Sequence, residues 1–171
     1  VSDGSGNVTI GSSGKTITNS GTAVGFGGTN TPAFHARRTS SQSIPNATDT
    51  IMIFDTEQFD TNSAYNTATG TFTVPSEEGG KYCVYFGFRR NNWQSNRFVY
   101  NLFRADNSAY AGGDLTVTGV YSGGYASNVI ILSAGDTVRV GVYHDNGSTQ
   151  SIKGAGSGTD ETFFGAYKLI I

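Results

Sequence analysis

The chain of 171 residues has a single cysteine, Cys83, which excludes an intrachain disulfide framework and a multi-cysteine metal site. Its two histidines, His35 and His144, lie far apart and have no ligand-like spacing around them. Charge is also scarce: 14% of residues are charged and the formal net charge is −2. A nucleic-acid binder clusters Lys and Arg on one face. Here the arginine pairs Arg37-Arg38 and Arg89-Arg90 stand isolated, so nucleic acid is not an expected partner. No apolar run approaches the ~20 residues that span a bilayer as a helix. Membrane insertion is not expected, and no signal-peptide pattern opens the chain. Helix formers are thin as well: there is one Met, and no window carries apolar residues at i, i+3, i+4 and i+7. The first residue is Val1, inside a Gly/Ser-rich pattern, so the sequence reads as the C-terminal part of a longer protein.

What is abundant points to β structure. There are 24 glycines, nine tyrosines and eleven phenylalanines, with many Thr, Ser and Asn. Residues 1–32 differ from the rest: "NVTIGSSGKTITNSGTAVGFGG" has short apolar pulses between glycine turns and almost no charge. Such pulses bury little surface within one chain and need partners, as repeat-type shafts do. A linker is the alternative reading. From Ala33 strands take over. "AFHARR" alternates, "TIMIF" (Thr50 to Phe54) reads as a doubly buried strand, and "GTFTVP" sets Phe72 and Val74 on one face. "KYCVYFGF" places Tyr82, Val84, Phe86 and Phe88 opposite Cys83, Tyr85 and Gly87. "RFVYNLF", "LTVTGVY", "SNVIIL", "TVRVGVY" and "TFFGAYKLII" follow, with turn signals at Ala134-Gly135-Asp136 and Asp145-Asn146-Gly147. The second of these reads as an Asn-Gly hairpin turn. Many short strands with regular turns predict a sandwich or jelly roll. Two strands, around Tyr82–Phe88 and Phe163–Ile171, have no polar face. Something must cover their outer side, and a second subunit is the simplest cover.

One local motif imitates a phosphate loop. "GSSGKT" ends like one, but the required first glycine falls on Thr9, and the glycine-broken segment that follows cannot start a helix. Catalytic groupings are no better founded. His144-Asp145 could be combined with Ser127, Ser133 or Ser148, yet no Gly-x-Ser-x-Gly elbow is present. Asp55, Glu57 and Asp60, or Glu77 and Glu78, read as solvated strand ends before they read as a glycosidase pair.

The block "YNTATGTFTVPSEEGGKYCVYFGF" resembles the strand-turn-strand core of the superfamily that joins the complement C1q head domain and tumour necrosis factor. The resembling positions are Tyr65, Asn66, Thr69-Gly70, Phe72, Pro75, Gly80 and Tyr82. "VIILSAGDTVRVGV" matches that family's hairpin through Gly135 and Asp136, "FFGAYKL" its closing strand through Gly165, and "IMIFDTEQFD" an early strand. The resemblance covers residues 33–171. It implies a ten-stranded, all-β jelly-roll sandwich, homotrimeric about a threefold axis. Carried over residue by residue, the trimer-interface positions are Cys83, Tyr85, Tyr125 and Phe163. The competing reading puts these four in the core of one sandwich. Instead of a collagen-like Gly-X-Y stalk, residues 1–32 read as a glycine-rich β shaft or collar, which resembles the stems of viral and bacteriophage tail fibres.

No cofactor is required by this reading. Calcium is the one cofactor the resemblance raises, with Asp106, Asn107 and Asp114 as its candidates. Three sequons begin at Asn7, Asn46 and Asn146 and matter only in a eukaryotic secretory route. Ligand-binding candidates sit in loops that mix aromatic and polar residues: Trp93 and Arg97 in "RRNNWQSNRF", Tyr110 in "ADNSAYAGGD", and Tyr121 in "YSGGYASN". Trp93 serves equally well as a core cap. The expected function is a non-enzymatic trimeric fibre head, extracellular on the virion, that binds a host-surface glycan or protein. The alternative is a secreted C1q-like adhesive or signalling ligand of cellular origin. An enzyme acting on surface polysaccharide comes third.

Overall fold

The computed structural model describes residues 32–91, 96–117, 121–154 and 161–169. All of the proposed shaft except Pro32, and Trp93, lie outside these residues. Among the described residues there is no α-helix, and thirteen strands form two antiparallel sheets. In chain order they are β1 (Ala33–Arg37), β2 (Gln42–Ile44), β3 (Thr50–Ile51), β4 (Thr56–Asp60), β5 (Tyr65–Asn66) and β6 (Thr71–Thr73). Then come β7 (Gly80–Asn91), β8 (Asn96–Phe103), β9 (Ala109–Val117), β10 (Tyr121–Leu132), β11 (Thr137–His144), β12 (Gln150–Ile152) and β13 (Phe163–Lys168). The first sheet runs β2-β12-β7-β13-β1-β4, with β10 along the other side of β7. The second runs β5-β6-β11-β8-β9, with β3 added to β11.

Alternation builds the core. Tyr82, Val84, Phe86 and Phe88 of β7 are buried, facing Phe72 of β6, Phe98 and Leu102 of β8, and Val138, Val140 and Val142 of β11. Phe34 of β1 anchors one end: its ring stacks on Tyr65 at 4.8 Å and on Phe72 at 4.9 Å, and meets Phe164 edge-on at 5.0 Å. Such aromatic pairs add roughly 0.5–1.5 kcal/mol each beyond the area they bury.

Three expectations need correction. The count is thirteen strands, since β2, β3, β5 and β12 are separate pieces of two or three residues. "TIMIF" is not a continuous strand, because side chains and a remote carbonyl take over its backbone partners. Met52 N–H donates to the Val140 carbonyl at 2.8 Å and Ile53 N–H to Gln42 Oε1 at 3.0 Å. The Tyr65 hydroxyl satisfies both the N–H and the carbonyl of Phe54, each at 3.2 Å. Finally, neither glycine turn closes a hairpin. Gly135 (φ 85°) carries the chain from β10 in the first sheet to β11 in the second. Gly147 (φ 83°) then carries it from β11 back to β12 in the first. Among the described strands only β5–β6 and β8–β9 are consecutive and paired, the connectivity of a Greek-key jelly roll.

His144 ties the two sheets together at this crossing. It is buried, its Nδ1 accepts from Asn146 N–H at 3.2 Å, and its Nε2 therefore donates to the Ile44 carbonyl at 2.9 Å. Both ring nitrogens are engaged structurally, which removes this histidine from the triads considered on sequence.

Candidate interaction face

The outer side of the first sheet carries one apolar, largely aromatic surface in three registered rows. The first row is Phe59, His35, Gly165, Tyr85 and Ser127, across β4, β1, β13, β7 and β10. The second is Ala33, Tyr167, Cys83 and Val129; the third is Thr56, Arg37, Phe163, Gly87 and Tyr125. Two glycines make room for the rings. A Cβ on Gly87 would stand 2.7 Å from the rings of Phe163 and Tyr125, and one on Gly165 would stand 2.4 Å from the Tyr85 ring. Each aromatic thus lies across a glycine on the neighbouring strand, and the surface is filled by rings.

His35 sits among these rings. Its ring is 5.4 Å from Phe163, 5.8 Å from Tyr85 and 6.1 Å from Phe59, and its Nδ1 shares a hydrogen bond with the Tyr85 hydroxyl at 3.0 Å. Burial raises the Tyr85 pKa above its ordinary value, with Tyr167 and Cys83 adding to the shift. The Tyr167 pKa is raised as well, first by its hydrogen bond with Cys83. These hydroxyls therefore stay protonated and neutral at physiological pH. Toward the β10 edge the surface opens: Tyr125 is 77% exposed, Ile131 76% and Val129 55%, while Phe59 at the β4 edge is 50% exposed.

The four interface candidates therefore share one face, outside the core of the sandwich. Tyr125 lies 5.7 Å and Tyr85 6.2 Å from Phe163, and Cys83 is opposite Tyr167 in the adjacent row. His35, Phe59, Val129 and Ile131 belong to the same surface and were missed. Alternation in "AFHARR" pointed at His35, whereas Phe59 stands alone between polar residues in "TEQFD".

The ligand and calcium candidates do not converge. Arg97 Nε donates to Asp114 Oδ2 at 2.7 Å and its guanidinium lies 5.9 Å from the Tyr143 ring. Tyr110 is covered by the Arg104 guanidinium at 3.9 Å. Tyr121 of β10 pairs by its backbone opposite Asn91 of β7. Asp106 accepts from Ser108 N–H and Oγ at 2.9 and 2.7 Å, and Asn107 Oδ1 accepts from Arg139 at 2.9 Å. Asp114 is paired with Arg97. Among the described residues no three His, Cys, Asp or Glu side chains group to hold a metal. Of the carboxylates considered for glycosidase work, Asp55 accepts from Thr39 at 2.8 and 2.9 Å, Asp60 holds the loop before β5, and Glu78 pairs with Lys168. No helix among the described residues is long and apolar enough to cross a membrane.

A two-sheet jelly roll with one face apolar on its solvent side defines the class. The C1q domain profile matches residues 33–166, and the chain belongs to the C1q domain family. Solved structures with the same fold include the globular domain of zebrafish complement 1qA, at 16% identity over 81% of this chain and 98% of that one, TM-score 0.60. The Eiger TNF of S. frugiperda matches at 15% identity over 81% and 92%, TM-score 0.60. Murine APRIL at pH 5.0 matches at 13% identity over 80% and 98%, TM-score 0.59. A comparison with curated proteins gives no match.

Proposed function

We propose that the chain is a self-assembling, non-enzymatic recognition head: a homotrimer at the tip of a viral or bacteriophage fibre, extracellular on the virion, engaging a host-surface glycan or protein. The apolar face of the first sheet carries this reading. Edge strand β10 is twelve residues long and exposes Tyr125, Val129 and Ile131. Left bare on a monomer, such an edge invites uncontrolled association. Closed cyclic symmetry covers it once and stops growth, and Cys83, Tyr85, Tyr125 and Phe163 then lie at the subunit contact. Three copies of a weak receptor site engaged together raise avidity by roughly 10²–10⁴-fold when geometry permits.

The fibre placement rests on residues 1–32, whose short apolar pulses between glycines suit a β shaft and lack the Gly-X-Y repeat of a collagen stalk. A second reading, a secreted C1q-like ligand of cellular origin, is supported by the animal proteins that share the fold. Upstream sequence separates the two: shaft repeats and a particle-attachment domain favour the fibre, a signal peptide the secreted ligand. The reading requires no cofactor.

The test is molar mass in solution by size exclusion with light scattering, with and without a calcium chelator. A species three times the 18.0 kDa chain, unchanged on chelation, is expected. A monomer at micromolar concentration would overturn the assembly, and dissociation on chelation alone would place calcium within it.

A further inference from the structure

A cleft of about 540 Å³ opens on the second sheet between the loop that leads into β5 and the β5–β6 hairpin, within the size range of ligand sites. Asn62, Ser63, Asn66, Thr67, Thr73 and Pro75 line it, and no lining residue is charged. Its walls are fixed from within the chain. Asp60 accepts from Asn62 N–H at 3.2 Å and from Tyr65 N–H at 2.8 Å, which holds Ser63 between them at φ 50°. On the other wall Asn66 Oδ1 accepts from the N–H of Ala68 and Thr69 at 2.9 and 3.2 Å, and the Asn66 carbonyl accepts from Gly70 N–H at 2.9 Å.

The chain uses the backbone and carboxylate groups of these walls and leaves the groups facing the cleft uncommitted. Among the described residues, the hydroxyls of Ser63, Thr67 and Thr73 and the amide NH₂ groups of Asn62 and Asn66 make no hydrogen bond. They offer several donors and acceptors, all neutral, on walls set before a ligand arrives, so little ordering entropy opposes binding. A phosphate or carboxylate would meet no cation in the lining. A peptide anchor would find no deep apolar pocket, because the Tyr65 ring is buried in the core and its hydroxyl is spent on Phe54. A neutral polyol matches the donors and acceptors present. We propose that this cleft binds a neutral saccharide of one or two pyranose units, separate from Arg97 and Tyr110. The inference rests on reading the chain as a recognition head and names the class of ligand that head takes.

Backbone-amide NMR of the full chain, titrated with D-glucose, D-galactose, D-mannose and N-acetyl-D-glucosamine, tests it. At least one of these sugars is expected to shift the amides of Asn62 to Thr67 and of Thr73. Thr73→Val keeps the β-branched shape on β6 and should weaken that sugar about fivefold, the loss of one neutral hydrogen bond. Failure of all four sugars to move these amides overturns the proposal. So do shifts centred on Arg97 and Tyr110, or a Thr73→Val chain that binds like the wild type. Molar mass measured on the same samples keeps the two readings apart. A trimer that ignores every sugar removes the saccharide cleft and leaves the assembled head; a monomer that binds sugar does the reverse.

Discussion

Gly70 and Gly135 both have positive φ, 67° and 85°, yet alanine is expected to cost different amounts at the two. At Gly135 a Cβ meets nothing within 4 Å, so only the left-handed backbone penalty of about 1–2 kcal/mol applies. At Gly70 the new Cβ would also stand 2.3 Å from the Met52 carbonyl oxygen, which is backbone and cannot swing away. Gly70→Ala should therefore lower the urea unfolding free energy by at least about 1 kcal/mol more than Gly135→Ala, within the usual range of strained substitutions. Equal losses would mean that the β5–β6 hairpin yields freely. Tyrosine sets the alkaline limit at the same scale. Burial pushes the Tyr82 pKa up to about 12, with Glu78 adding to the shift, and raises the Tyr65 pKa as well. A raised acid pKa favours the folded state fully below the unfolded tyrosine value of about 10, and the benefit is lost as pH rises from there through about 12. Denaturant midpoints across that window should fall steeply for the wild type and less steeply for Tyr82→Phe. Parallel curves would remove Tyr82 from the alkaline transition.

At the scale of the element, β10 is the decisive strand. Ile131 is 76% exposed and pairs across the sheet with Lys81 of β7. In an isolated chain Ile131→Asp buries no charge and gains an opposite charge across the ladder, so monomer stability should change by no more than about 0.5 kcal/mol. In an assembly that covers this strand, the same carboxylate must be desolvated. Light scattering should then show the single-chain mass while circular dichroism stays that of the folded sandwich. An Ile131→Asp chain that assembles like the wild type would place the subunit contact elsewhere. The alternation that gives β7 and β13 two apolar faces was legible in "KYCVYFGF" and "FFGAYKL", because period-two patterning needs no partner to be read. What interrupts β3 was not. Gln42 and Tyr65 replace the ladder of Ile53 and Phe54 from about a dozen residues away, and no local pattern encodes that. The cleft residues were equally silent, since Ser63, Thr67 and Thr73 read as ordinary turn and strand-edge polar groups until the fold sets them around one space.

At the scale of the whole molecule, the glycine turns show the limit of local signals. Gly135 and Gly147 were legible as turn residues, and both have positive φ, although Asn146, which a type I′ turn would also need there, does not. A turn residue does not say which sheet receives the next strand. That choice follows from where the apolar faces of β11 and β12 find cover, β11 against the first sheet from the second and β12 beside β2 and β7 in the first. Burial also decides what force would hold the proposed assembly. The proposed contact is built from Phe59, Tyr85, Phe163, Tyr125, Val129 and Ile131, with Arg37 and Lys81 the charged residues in register with it. An association driven by such apolar burial strengthens or holds as salt rises, whereas one carried by exposed ion pairs weakens once the Debye length falls to about 3 Å near 1 M. Molar mass at fixed protein concentration should therefore stay at three chains from low salt to ~1 M sodium chloride, with dissociation appearing in urea. Loss of mass in salt alone would assign the contact to the charged margin, and the aromatic rows would then need another cover.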